Sequence, residues 1–343
     1  MGLDVDKLLC SQKILLYAKN FYISSPLVLI TFGTIYLKNI LGSWHYKLHL
    51  VGKAKYFSEQ SAGNFNLVTN TSVVTRNIYT RYFELPLISE HIPQRKNKLT
   101  NNEFGYFLAG LIEGEGWFGK KELHIIFAEE DTSLAYFIKK EIGFGNIYKI
   151  KNKKAVRYIC KNTKGLYIIL SLINGKFVSI YIYEQLIKHG YNNYFNITIL
   201  PPTKKISLDN HWLSGFTQAN GSFHISVVKS KTHKIGYSVR LEYSIKQIDI
   251  LPLKLLYNLL KKGNLSQYNS GLWSYKSSGY STAADLIHYF DKFNLFAGKY
   301  NSYFKFRKIY LMIRNGKHLE KEGLNKIISI SSKGSSETST QKI

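Results

Sequence analysis

Apolar residues recur along this chain with two periods, and they do so twice in the same order. Leu123, Ile125 and Phe127 follow the alternation of a half-buried strand, and Leu241, Tyr243 and Ile245 repeat it. Asp131 and Asp249 then stand where helix N-caps belong, ahead of the stripes Leu134/Ile138 and Leu253/Leu256/Leu260. Residues 157–160 and 273–276 supply further strands. Each array is preceded by a helical segment that stops at a glycine, FLAGLIEGEGWF at 107–118 and WLSGFTQANGSF at 212–223, with Gly116 and Gly221 as the stops.

Landmarks fix the register of this internal repeat. Leu108 and Leu213 lie 105 positions apart, whereas Asp131 and Asp249, and the tripeptides at 145–147 and 263–265, lie 118 apart. The thirteen extra residues fall around KSKTHK at 229–234, which predicts a longer hairpin loop in the second copy. LINGK at 172–176 is loosely matched by LFAGK at 295–299. The pattern predicts helix, two strands, helix, two strands, helix in each copy. The chain is thus expected to be an α+β protein of two pseudo-symmetric αββαββα halves with curved antiparallel sheets. The first repeat occupies residues 99–200 and the second 205–325, after an N-terminal extension over 1–98 with no identifiable motif. Residues 326–343 read as a flexible tail, Ser/Thr-rich from 331 onward.

Charge changes this picture from architecture to partner. Among 343 residues there are 47 Lys+Arg against 22 Asp+Glu, a formal net charge of +25, with 45 % hydrophobic residues. A foldable chain so basic points to a polyanion, most simply nucleic acid. Forty of the cations are Lys and only seven are Arg; with abundant Asn, Ile, Tyr and Phe, this suggests an A/T-rich genome such as an organelle's. Cys10 and Cys160 give neither a disulfide framework nor a zinc cage. The apolar run at 21–37 reaches the lower edge of membrane-spanning length. Ser24, Ser25, Pro26, Thr31, Gly33 and Thr34 within it make a buried or surface-associated element the better reading than a span, and no convincing signal peptide accompanies it. His45 and His49 have the i, i+4 spacing of a zinc pair, but without a third ligand nearby they read as ordinary helix-face histidines.

Small residues at four-residue spacing, Gly110/Gly114 and Gly215/Ala219, would let the two opening helices approach backbone to backbone. Glu115 and Asn220 would then be neighbours at the paired C-terminal ends. A carboxylate there is disfavoured by the helix dipole unless a cation is present. With the carbonyls of Gly114 and Ala219, the result is an all-oxygen site suited to Mg²⁺ and to in-line phosphodiester hydrolysis. On one motif alone, Glu113 and Glu115 would simply be solvated acids at a helix end; the second copy and the charge argue for a site.

Residues 108–116 resemble the signature of the LAGLIDADG homing endonuclease and maturase family, and residues 213–221 its degenerate second copy. The likeness covers residues 90–325 and is greatest to two-motif, single-chain members encoded in mitochondrial group I introns. It implies a monomer whose β-strands form a nucleic-acid-binding saddle on the DNA major groove, with Mg²⁺ between the halves. It also implies a mitochondrial location, a chloroplast being the alternative. Glu115 matches the family's metal-binding acid, Gly114 and Ala219 the positions offering carbonyls, and Gln247 a residue that organises water. Lys176 and Lys299 match the basic residues beside the scissile phosphates, and residues 299–308 the C-terminal helix. Two departures stand out. Asn220 occupies the place of the second acid, and Glu129 stands opposite Gln247. An amide supplies no negative charge, which weakens metal binding or disables one strand's cleavage.

The recognition surface is expected on the exposed strand faces and turns. Lys120, Lys121, Lys151, Lys153, Lys229, Lys231 and Lys234 would contact phosphates, and Arg240 base edges, among interleaved Tyr148, Tyr158, Tyr237, Tyr243, Tyr268 and Tyr275. Two functions follow from the resemblance: a Mg²⁺-dependent site-specific DNA endonuclease that propagates its group I intron, or an RNA maturase that binds that intron's RNA and has lost cutting.

Overall fold

The computed structural model describes residues 85–332, apart from Arg95 and Asn97, and the backbone of a hairpin formed by Phe57–Gln60 (β1) and Asn64–Leu67 (β2). The described residues fall within a compact unit that begins at Lys55. The apolar run at 21–37, Cys10 and the His45/His49 pair lie outside them. Among the described residues no helix is long and apolar enough to cross a membrane.

The first half runs Asn101–Glu115 (α1), Gly116–Gly119 (β3), Glu122–Ala128 (β4), Thr132–Ile142 (α2), Asn146–Lys149 (β5), Ala155–Cys160 (β6) and Thr163–Ile173 (α3). Two short helices, Ile180–Lys188 (α4) and Tyr191–Phe195 (α5), lead towards the second half. That half repeats the order with Trp212–Asn220 (α6), Gly221–Lys229 (β7), Tyr237–Gln247 (β8), Ile250–Leu260 (α7), Asn264–Gln267 (β9), Trp273–Ser277 (β10) and Tyr280–Lys292 (α8). Ala297–Arg314 (α9) and Lys321–Ser332 (α10) close it, so residues 326–332, expected to begin a flexible tail, end a helix instead. The sheets have the same antiparallel strand order, β3-β4-β6-β5 and β7-β8-β10-β9.

Local chemistry sets the ends of these elements. Thr100 and Glu103 form a reciprocal capping box that starts α1, with the Glu103 carboxylate accepting the Thr100 N–H at 2.8 Å. Asp249 caps α7 by accepting the Leu251 N–H at 2.9 Å. Asp131 departs from its expected role: its side chain does not cap α2 but accepts the Gly298 N–H at 3.0 Å, reaching from the first half to the start of α9. The thirteen additional residues of the second copy do not all enter a loop. They lengthen both strands of the β7–β8 hairpin, where Val227 pairs with Val239 and Ile225 with Leu241.

One face of each sheet is apolar and covered by helices. Leu123, Ile125, Phe127, Val156 and Tyr158 point into the first core, and Val239, Leu241, Tyr243, Ile245 and Tyr275 into the second. Tyr158, Tyr243 and Tyr275 are fully buried, so half of the aromatics expected on the nucleic-acid surface are core residues. Their hydroxyls find partners inside, Tyr158 donating to the Phe144 carbonyl and Tyr275 to that of Lys262.

The halves join along α1 and α6. A Cβ added at Gly110 would overlap the Trp212 carbonyl oxygen, and one at Gly215 the Phe107 carbonyl oxygen. Only glycine permits this approach, and the contact is reciprocal because the two motifs are copies. Before α1 the chain crosses to the other half: the Arg307 guanidinium donates to the carbonyls of Ser89 and His91, and Arg314 to that of Ile88.

Candidate active site and nucleic-acid interface

The close helix approach brings the C-terminal ends of α1 and α6 together, with Gly114 facing Ala219. Asn220 donates its amide N–H to the Gly114 carbonyl at 3.0 Å. Gln247 donates to the adjacent Glu113 carbonyl at 2.8 Å, while its own amide oxygen accepts the Ile248 N–H. Lys299, on α9, donates to the Gly221 carbonyl at 2.5 Å. Gly114, Glu115, Ala219, Asn220, Gln247 and Lys299 therefore lie close together at this junction.

Glu115 is partly buried, and loss of water raises its pKa, opposed by the positive charge of Lys299. Burial in turn lowers the pKa of Lys299, against the pull of Asp131, Glu130 and Glu115. The two groups favour each other's charged forms across the junction of the halves.

Lys176 is not brought to this site. Its ammonium donates to the Leu172 carbonyl at 2.8 Å and lies 5.4 Å from the Tyr106 ring centroid. Its Cε stands beside Gly105, ten residues before Glu115, which on a helix is about 15 Å along the axis. The negative C-terminal end of α3 and an aromatic face satisfy the cation there. Glu129, opposite Gln247 in the repeat, forms an exposed ion pair with Lys149 at 2.8 Å, so the first copy's acid is held on the surface.

Glu113 was legible only as a solvated acid, and it is buried. Its carboxylate accepts the N–H groups of Val178 (2.9 and 3.0 Å) and Ser179 (2.6 Å) and the indole N–H of Trp212 (2.6 Å). Burial pushes its pKa up to about 7, while those donors act to lower it. Gln218, its counterpart in the repeat, accepts the Phe296 N–H at 2.9 Å. Each side chain thus ties a motif helix to the segment that follows its half's third repeat helix.

Metal-binding capacity can be judged from these donors. Among the described residues there is no group of three or more His, Cys, Asp or Glu side chains that could hold a metal ion. What the junction offers is one carboxylate, Glu115, the carbonyls of Gly114 and Ala219, and an amide whose oxygen becomes available if Asn220 turns over. These are hard oxygen donors that suit Mg²⁺ in kind, with one negative charge rather than two. In the present arrangement the Asn220 N–H group occupies the Gly114 carbonyl directly.

The lysines expected to meet phosphate are all exposed. Lys120 and Lys121 form the β3–β4 turn, Lys151 and Lys153 lie in the β5–β6 turn, Lys229 ends β7, and Lys231 and Lys234 lie in the loop before β8. Arg240 is exposed on β8, opposite Ser226. Each cluster sits at the edge of a sheet face that no repeat helix covers.

Comparison with known proteins agrees with the fold. A family model described as LAGLIDADG endonuclease matches residues 213–310. A cox1 intron-2 37.2 kDa protein of Schizosaccharomyces pombe, itself uncharacterised, is 39 % identical over 274 residues, 78 % of this chain and 82 % of that one. A probable intron-encoded endonuclease 4 of Neurospora crassa is 31 % identical over 253 residues, 69 % of this chain but only 45 % of that one. Among solved structures, the LAGLIDADG meganuclease I-AabMI bound to uncleaved DNA superposes with a TM-score of 0.54 at 24 % identity, over 66 % of this chain and 98 % of that one. These likenesses define an intron-encoded, two-motif α+β class. The chain belongs to the LAGLIDADG endonuclease family.

Proposed function

We propose that this chain is a monomeric, intron-encoded homing endonuclease. It would act in the mitochondrion, binding a duplex DNA site across its two sheet faces and hydrolysing phosphodiesters with Mg²⁺. The observation that carries the proposal is the convergence of Glu115, the Gly114 and Ala219 carbonyls, and Lys299 at the paired helix ends. The host is taken to be a gene such as cox1, by likeness to the fission yeast relative.

Each residue then has a task. Glu115 and the two carbonyls would hold Mg²⁺, which supplies Lewis-acid polarisation of a phosphoryl oxygen and a lowered pKa for bound water. Lys299, held at the Gly221 carbonyl, would place its ammonium next to a scissile phosphate. Gln247, anchored to the Glu113 carbonyl, would orient water through its remaining amide valence. Lysines at the sheet turns would set affinity through phosphate contacts.

The bond between Asn220 and Gly114 favours a second reading. An aspartate here would need a cation between itself and the carbonyl, whereas the amide satisfies the carbonyl alone. A chain whose metal site closes on itself fits a nickase, or a maturase that binds its group I intron RNA without cutting DNA. A supercoiled plasmid carrying an intronless cox1 junction, incubated with Mg²⁺, separates these outcomes. Linear product supports the endonuclease and nicked circles a nickase; intact plasmid with tight binding to the intron RNA supports the maturase. Glu115→Gln is expected to abolish any cleavage while leaving binding within a few-fold, and unchanged cutting by that variant refutes the metal-site assignment.

A further inference from the structure

The two halves repeat each other in topology but not in the chemistry of their open sheet faces. On the first sheet, the outward residues in register form the rows Trp117–His124–Ile159–Asn146 and Ile126–Arg157–Tyr148. The Trp117 and His124 rings stack with centroids 4.8 Å apart and planes within 3°, and the Arg157 guanidinium lies 5.5 Å from the Trp117 ring. His124 Nε2 is 3.2 Å from the Glu122 carboxylate, which also pairs with Lys161 at 2.9 Å. The middle of this face is therefore mostly aromatic and aliphatic, with Arg157 lying against Trp117 and Asn146 at the β5 edge as its polar members. On the second sheet the corresponding rows are Ser222–Ser244–Lys276–Asn264 and Lys246–Ser274–Ser266, in which every member is a hydroxyl, amide or cation, and the lengthened hairpin adds Ser226 opposite Arg240.

We propose that the two sheets read their halves of the DNA site by different means, the first by contact of Trp117, Ile126 and Ile159 with thymine methyl groups and the second by hydrogen bonds to base edges. The inference rests on the DNA-binding function proposed above. In the major groove only thymine presents a methyl group, whereas hydroxyl, amide and cationic side chains match the acceptors and donors of the other bases. Stacking on an unpaired base is the other use of an aromatic face, but His124 and Arg157 already lie against the Trp117 ring. Lys120, Lys121, Lys151 and Lys153 at the rim supply the positive charge that a duplex backbone demands. The target half beneath the first sheet is accordingly rich in T·A pairs, while the half beneath the second is specified chiefly by hydrogen bonds.

The test uses the full-length protein and a library of randomised DNA duplexes, selected by binding and sequenced. Arg240→Ala, selected in parallel, loses base preference in one half and so identifies the half under the second sheet. The best duplex is then remade with deoxyuridine for thymidine in one half at a time, which removes the methyl and keeps the pairing. The expected result is a loss of about fourfold in affinity per methyl removed under the first sheet and less than twofold under the second. Equal losses in both halves, or none in either, overturn the inference while leaving site-specific DNA binding intact. Failure to enrich any duplex, or enrichment only from a matching RNA library, removes the DNA-binding reading and the inference with it.

Discussion

Replacing Asn220 with aspartate turns the helix junction into a measurable metal switch. The Asn220 amide donates to the Gly114 carbonyl at 3.0 Å in a partly buried setting. Aspartate removes the donor, points a carboxylate oxygen at a carbonyl oxygen, and adds a second negative charge near Glu115. Leaving a buried acceptor unmade costs about 1–3 kcal/mol, and incomplete burial here places the loss at about 1–2 kcal/mol. With two carboxylates and two carbonyls the variant becomes the stronger Mg²⁺ site. At free Mg²⁺ of about 100 times its Kd, binding returns about 2.7 kcal/mol, enough to offset the loss. Urea unfolding followed by tryptophan fluorescence, in EDTA and in Mg²⁺, reads both quantities. Asn220→Asp should be the less stable protein in EDTA and show the larger stabilisation in Mg²⁺, and in the plasmid assay it should raise double-strand cutting relative to nicking. Equal stability in EDTA would refute the worth assigned to the amide bond. An equal Mg²⁺ shift in parent and variant would refute the site.

Gly215→Ala drives a Cβ into the Phe107 carbonyl and should cost about 3 kcal/mol or more, measured as a fall in urea midpoint; a neutral result would show that the helices can part without penalty. Burial holds His211 and His318 neutral, with pKa values lowered to about 4. Their contribution to stability is full above about pH 6.5 and is lost as pH falls towards 4, by on the order of 3 kcal/mol each. Glu113, raised to about 7, works in the opposite sense, its contribution being full below about pH 4.5 and lost as pH rises through 7. The difference in unfolding free energy between parent and His211→Phe across pH 4–7 isolates the histidine limb, and a flat difference would refute it. DNA affinity should fall linearly in log–log form with salt, and Lys151→Ala combined with Lys153→Ala should reduce that slope by about 2.

Much of the fold could be read before any coordinates because its determinants are local. The alternation Leu123–Ile125–Phe127, the stop at Gly116 and the cap at Asp249 each act within a few residues, and each produced the element it implies. What escaped depends on partners far along the chain. Glu113 looks like any polar helix residue because its acceptor role is defined by Val178 and Ser179, some 65 residues away, and by Trp212, 99 away. Asp131 looked like a cap because its true donor, Gly298, lies in the other half. Lys176 and Lys299 share a position in the repeat, yet the first finds the Leu172 carbonyl and the second the Gly221 carbonyl, a divergence no spacing encodes. The buried tyrosines were legible: Tyr158 alternates with Val156 and Cys160, both buried, and that parity assigns it to the core.

The helix pair also separates two things that the motif's letters run together. Gly110 and Gly215 are required because backbone meets backbone, and Gly114 and Ala219 because nothing larger fits where the helices end. Glu115 and its counterpart Asn220 stand outside that backbone-to-backbone contact, so the acid there can be exchanged for an amide without parting the helices. Mutational drift in such a chain would strike the side chains at the helix ends first and the recognisable motif last. A lineage that gave up cutting would still carry a readable signature, so the motif dates the ancestry of the scaffold and leaves its present activity to be read from two positions.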